Sequence, residues 1–237
     1  MKSQSLQRGV FLVTASLLLS STALAQQFGG AGTFAVSAER LFGFSYASQS
    51  TTQEVAGTEI ERSASFTSFS LLGKVSTVSA SWATNTLYSF PRLAGDYFVI
   101  QGLSLGAGLG IVTGSSSLEQ KSGNISREDD GPSFMGFLIA PRVGYAFPFT
   151  ASVGLWPRGG ITYVHGGVDV DGNETNINAT ALTLEVPLVI APVPHVAIGI
   201  GPSFDIGLGG SVSDEDDNKI DFKGTEIGVQ ASLTAYF

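Results

Sequence analysis

The chain has 237 residues, no cysteine, 12 Lys and Arg against 20 Asp and Glu, and a formal net charge of −8. An acidic chain is a poor nucleic-acid binder, because affinity for phosphates comes mainly from Lys and Arg, and a chain without cysteine has no disulfide to stabilise it. Hydrophobic residues make up 43% of the sequence and charged residues only 14%, so the fold class depends on how the apolar residues are distributed.

Residues 1–25 have the layout of a secretory signal peptide. Basic residues precede an apolar stretch over residues 10–19, and small residues end at Ala25. The apolar stretch is shorter than the roughly 20 residues that a membrane-spanning helix needs. We therefore expect cleavage after Ala25 and a mature domain of residues 26–237.

Hydrophobic residues then alternate with small or polar ones along most of the chain. Alternation with a period of two predicts a β-strand with one apolar face. The clearest runs cover residues 103–111, 135–147, 196–208 and 226–237, and weaker ones cover 34–46, 87–99, 151–163 and 179–190. Runs of about ten residues are long enough to cross a bilayer at a tilt, whereas strands in soluble proteins are usually about 5 to 6 residues long.

These runs predict eight strands. In chain order they are residues 33–46, 87–98, 103–114, 133–147, 150–164, 178–190, 195–209 and 224–237. The connections between them alternate between short ones and long polar ones, the long ones being 115–132, 165–177 and 210–223. This alternation is typical of outer-membrane barrels, which have short periplasmic turns and longer outer loops. We therefore predict an all-β, closed antiparallel transmembrane β-barrel with long acidic outer loops.

Residues 47–89 leave the strand count open. The part through Arg62 is polar and loop-like, but apolar residues between Phe66 and Trp82 would form an extra hairpin that turns at Gly73 and Lys74. Insertion of that hairpin would give ten strands. We favour eight, because both pieces of the hairpin are short and serine-rich.

The same alternation places charged residues inside the barrel. Arginine on the lipid face at the bilayer midplane would cost about 2 to 4 kcal/mol, so we expect charges on the inward face. The predicted network of inward charges contains Arg92, Arg142, Arg158, Asp96, Glu185, Asp205 and Glu226. We interpret it as a set of ion pairs that fills a narrow barrel. Many inward positions are glycine, however, so a small polar channel is the alternative.

The three arginines of this network, Arg92, Arg142 and Arg158, each follow a proline. We expect a β-bulge at these prolines, Pro91, Pro141 and Pro157, because proline removes a donor from the hydrogen-bond ladder. If the turn after Phe147 is tight, facing residues have numbers that add to about 298. That register sets Arg142 opposite Trp156.

The chain offers little for catalysis or metal binding. It has two histidines, and we expect His165 at the start of an outer loop and His195 in a periplasmic turn, at opposite ends of the barrel. Covalent catalysis needs a base beside a nucleophile, so we predict no catalytic residue and no cofactor or metal site. The acidic outer segments are expected to be solvated, with weak divalent bridging to lipopolysaccharide as the alternative.

The C-terminus, from Gly228 to Tyr236 and Phe237, resembles the assembly signal of outer-membrane proteins, an amphipathic last strand that ends in Phe. With the signal peptide and the even hairpins, the mature chain resembles small outer-membrane protein A and X type barrels over its whole length. The resemblance implies a location in the bacterial outer membrane and insertion by the outer-membrane assembly machinery. It also implies contact with outer-membrane lipid and lipopolysaccharide. We expect a monomer with a structural or surface-interaction role, with a narrow passive channel and a barrel enzyme as the alternatives.

Overall fold

A computed structural model describes seven stretches of the chain, and the predicted signal peptide lies outside them. They are residues 28–55, 58–71, 74–75, 88–122, 125–170, 173–213 and 219–237. Their strands are β1 (Phe34–Val55), β2 (Thr58–Leu71), β3 (Lys74–Val75), β4 (Arg92–Phe98), β5 (Leu103–Ser122), β6 (Ile125–Tyr145), β7 (Phe147–Pro148), β8 (Val153–Leu155), β9 (Arg158–Val170), β10 (Asn173–Glu185), β11 (Leu188–Val193), β12 (Val196–Ser213) and β13 (Lys219–Tyr236). No helix in these stretches is long and apolar enough to cross a membrane.

The strands form one antiparallel sheet that closes on itself. Around the ring the order is β1, β4, β5, β6, β9, β10, β12 and β13, and β13 pairs with both β12 and β1. The short strands β7, β8 and β11 continue β6, β9 and β10 beyond local breaks in the ladder. The prediction of an eight-stranded closed barrel is therefore confirmed.

Among the described residues the extra hairpin adds no strand to the ring, and its second piece after Val75 lies outside them. Residues 34–39 at the start of β1 pair with β4, whereas residues 42–55 pair with β2. β2 therefore replaces β4 as the neighbour of β1 in the upper part of the wall. The expectation of a loop through Arg62 is wrong for the described residues, which include β-branched Thr51 and Thr52, and such residues favour strands.

The outer hairpins are also longer than predicted. The ladders continue to Ser122 and Ile125 in β5 and β6, and to Val170 and Asn173 in β9 and β10. Most of the segments expected as outer loops are therefore paired strands. A polar composition does not prevent strand formation, because the backbone groups still pair with one another there.

The outward face of the wall is an apolar belt. Along β13, Ile227, Val229, Leu233 and Phe237 point outward and are each 37 to 49% exposed. The eleven residues from Ile227 to Phe237 are separated by ten steps, which together span about 25 Å across the membrane at a rise of about 3.3 Å per residue and a tilt of about 40°. This is the height of the apolar band of outer-membrane barrels, so this face is built to contact lipid.

The prolines act differently from the prediction. Pro91 precedes β4 and Pro157 lies in the break between β8 and β9, but Pro141 lies inside β6 opposite Ala107 with no bulge. The ladder between β6 and β9 is only interrupted between Ile139 and Arg142 and keeps its register. One missing ladder bond is therefore accommodated without an extra residue.

Candidate functional site: an ion-pair network in the barrel lumen

Nine charged side chains meet on the inward face at mid-height, and each is at most 7% exposed. We call this set the lumen network; it consists of Arg40, Arg92, Arg142, Arg158, Glu39, Asp96, Glu185, Asp205 and Glu226. The structure places all seven residues of the sequence-predicted network here. It adds Glu39 and Arg40, which the sequence analysis missed.

Glu39 lies at the centre of the lumen network. Its carboxylate accepts hydrogen bonds from Arg92 Nε at 2.9 Å, Arg142 Nη1 at 2.6 Å and Arg158 Nη1 at 2.5 Å. Hydrogen bonds between ionised partners are roughly twice as strong as neutral ones. One carboxylate from β1 therefore joins arginines from β4, β6 and β9 across the lumen.

Glu185 is the second carboxylate that several arginines share. It lies 2.5 Å from Arg92 Nη2, 2.8 Å from Arg158 Nη2 and 3.1 Å from Arg40 Nη2. Arg40 in turn donates to Asp205, with Nη1 2.9 Å from Oδ2. The ion pairs thus continue from β9 through β10 to β12, around most of the ring.

Two carboxylates lie at the margins of the network. Asp96 accepts from Nε and Nη2 of Arg142, at 3.0 and 2.5 Å, and no other ion pair of Asp96 is present in the described residues. Glu226 faces Asp205 in the β12–β13 register and accepts a hydrogen bond from Ser89 Oγ. Because each of these two carboxylates has few partners, loss of one partner leaves its negative charge largely uncompensated.

Arg40 reaches the lumen through a bulge. The β1–β13 register shifts between Ala38 and Phe42, and Arg40 has a φ of 55°, in the left-handed region that non-glycine residues seldom adopt. Strict alternation would place Glu39 and Arg40 on opposite faces, but the bulge turns both inward. The signal in the sequence is the adjacent charged pair in the alternating run of residues 34–46, which has no other charged residue.

The described inward glycines lie against long charged side chains. A Cβ atom at Gly106 would lie 2.2 Å from Asp96 Oδ1, one at Gly108 would lie 3.0 Å from Arg92 Cδ, and one at Gly160 would lie 2.8 Å from Arg142 Cβ. The long charged side chains fill the space that the glycines vacate. Two cavities beside the network have volumes of about 10 and 20 Å³, enough for about one water molecule each.

Apolar layers close the lumen on both sides of the network. Towards the periplasmic end, the ring of Phe28 packs edge-on against Phe98, Trp156 and Tyr236, with centroid distances of 5.5, 5.1 and 5.4 Å. Towards the outer end, the buried layer is formed by Tyr88, Leu138, Ala140, Val164, Ile177, Ala179, Ala181 and Phe222. The lumen is thus packed in three successive layers.

The predicted register around Arg142 is wrong, although Arg142 does lie in the lumen. Arg142 faces Gly160, a shift of four residues from the predicted partner Trp156. The guanidinium carbon of Arg142 is 6.0 Å from the Trp156 ring centroid, while that of Arg158 is 4.5 Å away. Arg158 therefore makes the close cation–π contact.

The two histidines lie away from the lumen network. His165 is part of β9, not of an outer loop, and its Nδ1 lies 2.7 Å from Asn178 Oδ1 on the outward side. His195 has a φ of 67° in the turn between β11 and β12, and its Nδ1 lies 2.9 Å from the carbonyl oxygen of Tyr236. The position of His165 is thus fixed by a contact between neighbouring strands, and that of His195 by a contact between a turn and the last strand.

The two residues assigned to the assembly signal lie where the barrel closes. Tyr236 points inward into the periplasmic aromatic layer, and Phe237 exchanges two backbone hydrogen bonds with Phe34. Their assignment as an assembly signal remains a prediction.

Comparisons with known proteins support the fold. No protein-family model matches the sequence, and no curated protein matches it by sequence. Among solved structures, the chain is similar to the outer membrane protein OprG from Pseudomonas aeruginosa, with a TM-score of 0.50, 10% identity, and coverage of 88% of this chain and 97% of that one. It is also similar to Ail, the attachment invasion locus protein of Yersinia pestis, with a TM-score of 0.36, 13% identity, and coverage of 86% and 99%.

Identities this low establish the fold alone. The likeness to OprG, together with the apolar belt, gives the chain the fold of a small bacterial outer-membrane β-barrel, as the sequence predicted.

Proposed function

We propose that this protein is an integral outer-membrane barrel with a structural or surface-interaction role, without catalysis and without a conducting pore. In this proposal the ion pairs of the lumen network connect the strands from inside the barrel and stabilise the wall. The assembly machinery inserts the chain, which then acts as a monomer in contact with outer-membrane lipid and lipopolysaccharide.

The closed lumen is the observation that carries the proposal. An ion pathway would have to pass the aromatic layer around Phe28, the lumen network and the apolar layer around Phe222, and the cavities at the network hold about one water molecule each. An eight-stranded barrel has an interior that side chains just fill. The buried arginines therefore serve to hold strands together.

The proposed lack of catalysis rests on where the histidines lie. His165 faces outward on β9 and His195 lies in a turn near the C-terminal end of the chain. Neither contacts the other, and neither points into the lumen. The outer hairpins continue as paired strands beyond the apolar belt. In this proposal they form the surface that contacts partners outside the cell.

Single-channel recording on refolded protein in a planar bilayer tests the proposal. We expect a silent bilayer from wild-type protein whose folding has been verified, while a porin of 16 to 18 strands, reconstituted in the same way, gives steps through its aqueous channel. Steady conductance steps that disappear when the protein is heat-denatured before insertion would instead assign it a channel function.

A further inference from the structure

A polar groove crosses the outward face of the wall above the apolar belt. On β12, the outward residues Ile206 and Leu208 are followed by Gly209 and Ser211. One row of register partners crosses five strands there, in the order Asn178, Ser211, Asp221, Thr52 and Glu61. The groove therefore lies where the hydrocarbon layer gives way to lipid headgroups.

The shape of the groove comes from small residues and a bulge. The β10–β12 register shifts between Thr180 and Ala181, beside Gly209, and a Cβ atom at Gly209 would meet nothing within 4 Å. The hydroxyl groups of Ser50 and Ser211 line the same depression, whose volume is about 660 Å³. Volumes of roughly 300 to 1,000 Å³ hold small ligands.

Two lysines border the groove. Lys219 and Lys223 are both exposed and lie four residues apart on the outward side of β13. Lys219 lies 3.0 Å from Asp221, whereas Lys223 has no ion pair among the described residues. The chain has only 12 Lys and Arg and a net charge of −8, so two cations on one strand at this height form a distinct feature.

We propose that this groove binds the phosphorylated sugar headgroup of an outer-leaflet glycolipid. Lys223 pairs with a phosphate, and the Lys219–Asp221 ion pair and the hydroxyl groups bind sugar hydroxyls. The open space beside Gly209, which we call the notch, holds the sugar ring, and the acyl chains lie on the apolar belt below. The inference rests on the proposed membrane placement and names a specific lipid partner for it.

The test measures glycolipid binding to refolded protein by native mass spectrometry in mixed micelles, using a bisphosphorylated lipid A-type glycolipid as the probe. We expect the double variant Lys219→Glu and Lys223→Glu to bind at least about tenfold more weakly, the loss expected from removing charge-assisted contacts. Lys121→Glu is the matched control, since it reverses a lysine charge near the end of β5, away from the groove, and it should bind within about twofold of wild type.

A second variant fills the notch without changing charge. Gly209→Trp places a side chain in open space, so it should fold normally and still weaken glycolipid binding. The proposal is overturned if both groove variants, shown to be folded, bind the glycolipid like wild type. It is also overturned if inorganic phosphate or a lipid-free sugar phosphate binds as tightly as the glycolipid. Conductance of the same preparations tests the proposed function separately.

Discussion

Asp96 shows most clearly how the lumen network depends on individual residues. It is almost fully buried, and Arg142 is its ion-pair partner. Burying an ion pair costs about as much in desolvation as the pair returns, but removal of one partner leaves an uncompensated charge. The complete network therefore adds only modestly to the free energy of unfolding, whereas removal of one charged partner lowers that free energy strongly.

Substitution Arg142→Leu should destabilise the barrel by about 3 to 5 kcal/mol, because it leaves Asp96 without its partner and removes one partner of Glu39. The measurement is equilibrium unfolding in denaturant with lipid or detergent present. Arg62→Leu is the control, since Arg62 is exposed on β2, and it should change stability by less than about 0.5 kcal/mol. Equal stability of the two variants would show that the network does not brace the wall.

Substitution of Gly106 tests how tightly the lumen is packed. A Cβ atom there would lie 2.2 Å from Asp96 Oδ1 and 2.5 Å from the backbone oxygen of Gly95, which cannot move aside. Gly106→Ala should cost about 1 to 3 kcal/mol through overpacking. Gly209→Ala, in open space, should be close to neutral in the same unfolding experiment. A neutral Gly106→Ala would mean that the lumen has room that the structure does not show.

Among the elements, the turn between β7 and β8 sets the register of the strands that carry two network arginines. β7 ends at Pro148 and β8 begins at Val153, which leaves residues 149–152 in the turn. Thr150 Oγ1 accepts hydrogen bonds from the backbone N–H groups of Ser152 and Val153 at 3.2 and 3.1 Å. This side-chain contact stabilises a longer turn than the tight one that the sequence analysis assumed.

A cysteine cross-link tests this register directly, because the chain has no cysteine of its own. The pair Val143→Cys and Gly159→Cys occupies facing positions in β6 and β9, so a disulfide should form on mild oxidation. The pair Val143→Cys and Leu155→Cys matches the register first predicted and lies about 13 Å out of step, beyond disulfide reach. Cross-linking of the second pair alone would contradict the observed ladder.

The strands and their faces were predictable from the sequence, because a period of two in hydrophobicity determines which side chains face lipid. Inward placement of Arg92, Arg142 and Arg158 follows from that period. The polar outer hairpins were not predictable as strands, since their composition matches that of loops. Arg40 was missed because a bulge overrides alternation locally, and the partner of Arg142 was missed because Thr150 determines the turn length.

For the molecule as a whole, the usual distribution of side chains is inverted. Large apolar side chains such as Phe44, Leu93 and Ile111 are exposed on the outside, while charged side chains are buried inside. Such a chain is stable only where lipid covers the outside and the ladder closes around the lumen, because an open strand edge in a bilayer leaves backbone groups unpaired.

If the chain forms a closed barrel in the outer membrane, electrophoresis of membrane fractions will show it. A closed hydrogen-bonded cylinder resists detergent until it is heated, since no edge is open to it. We expect the protein in the outer-membrane fraction, with unheated and boiled samples migrating at different positions. Recovery as soluble periplasmic protein, or identical migration before and after boiling, would show that the chain forms no closed barrel in the outer membrane.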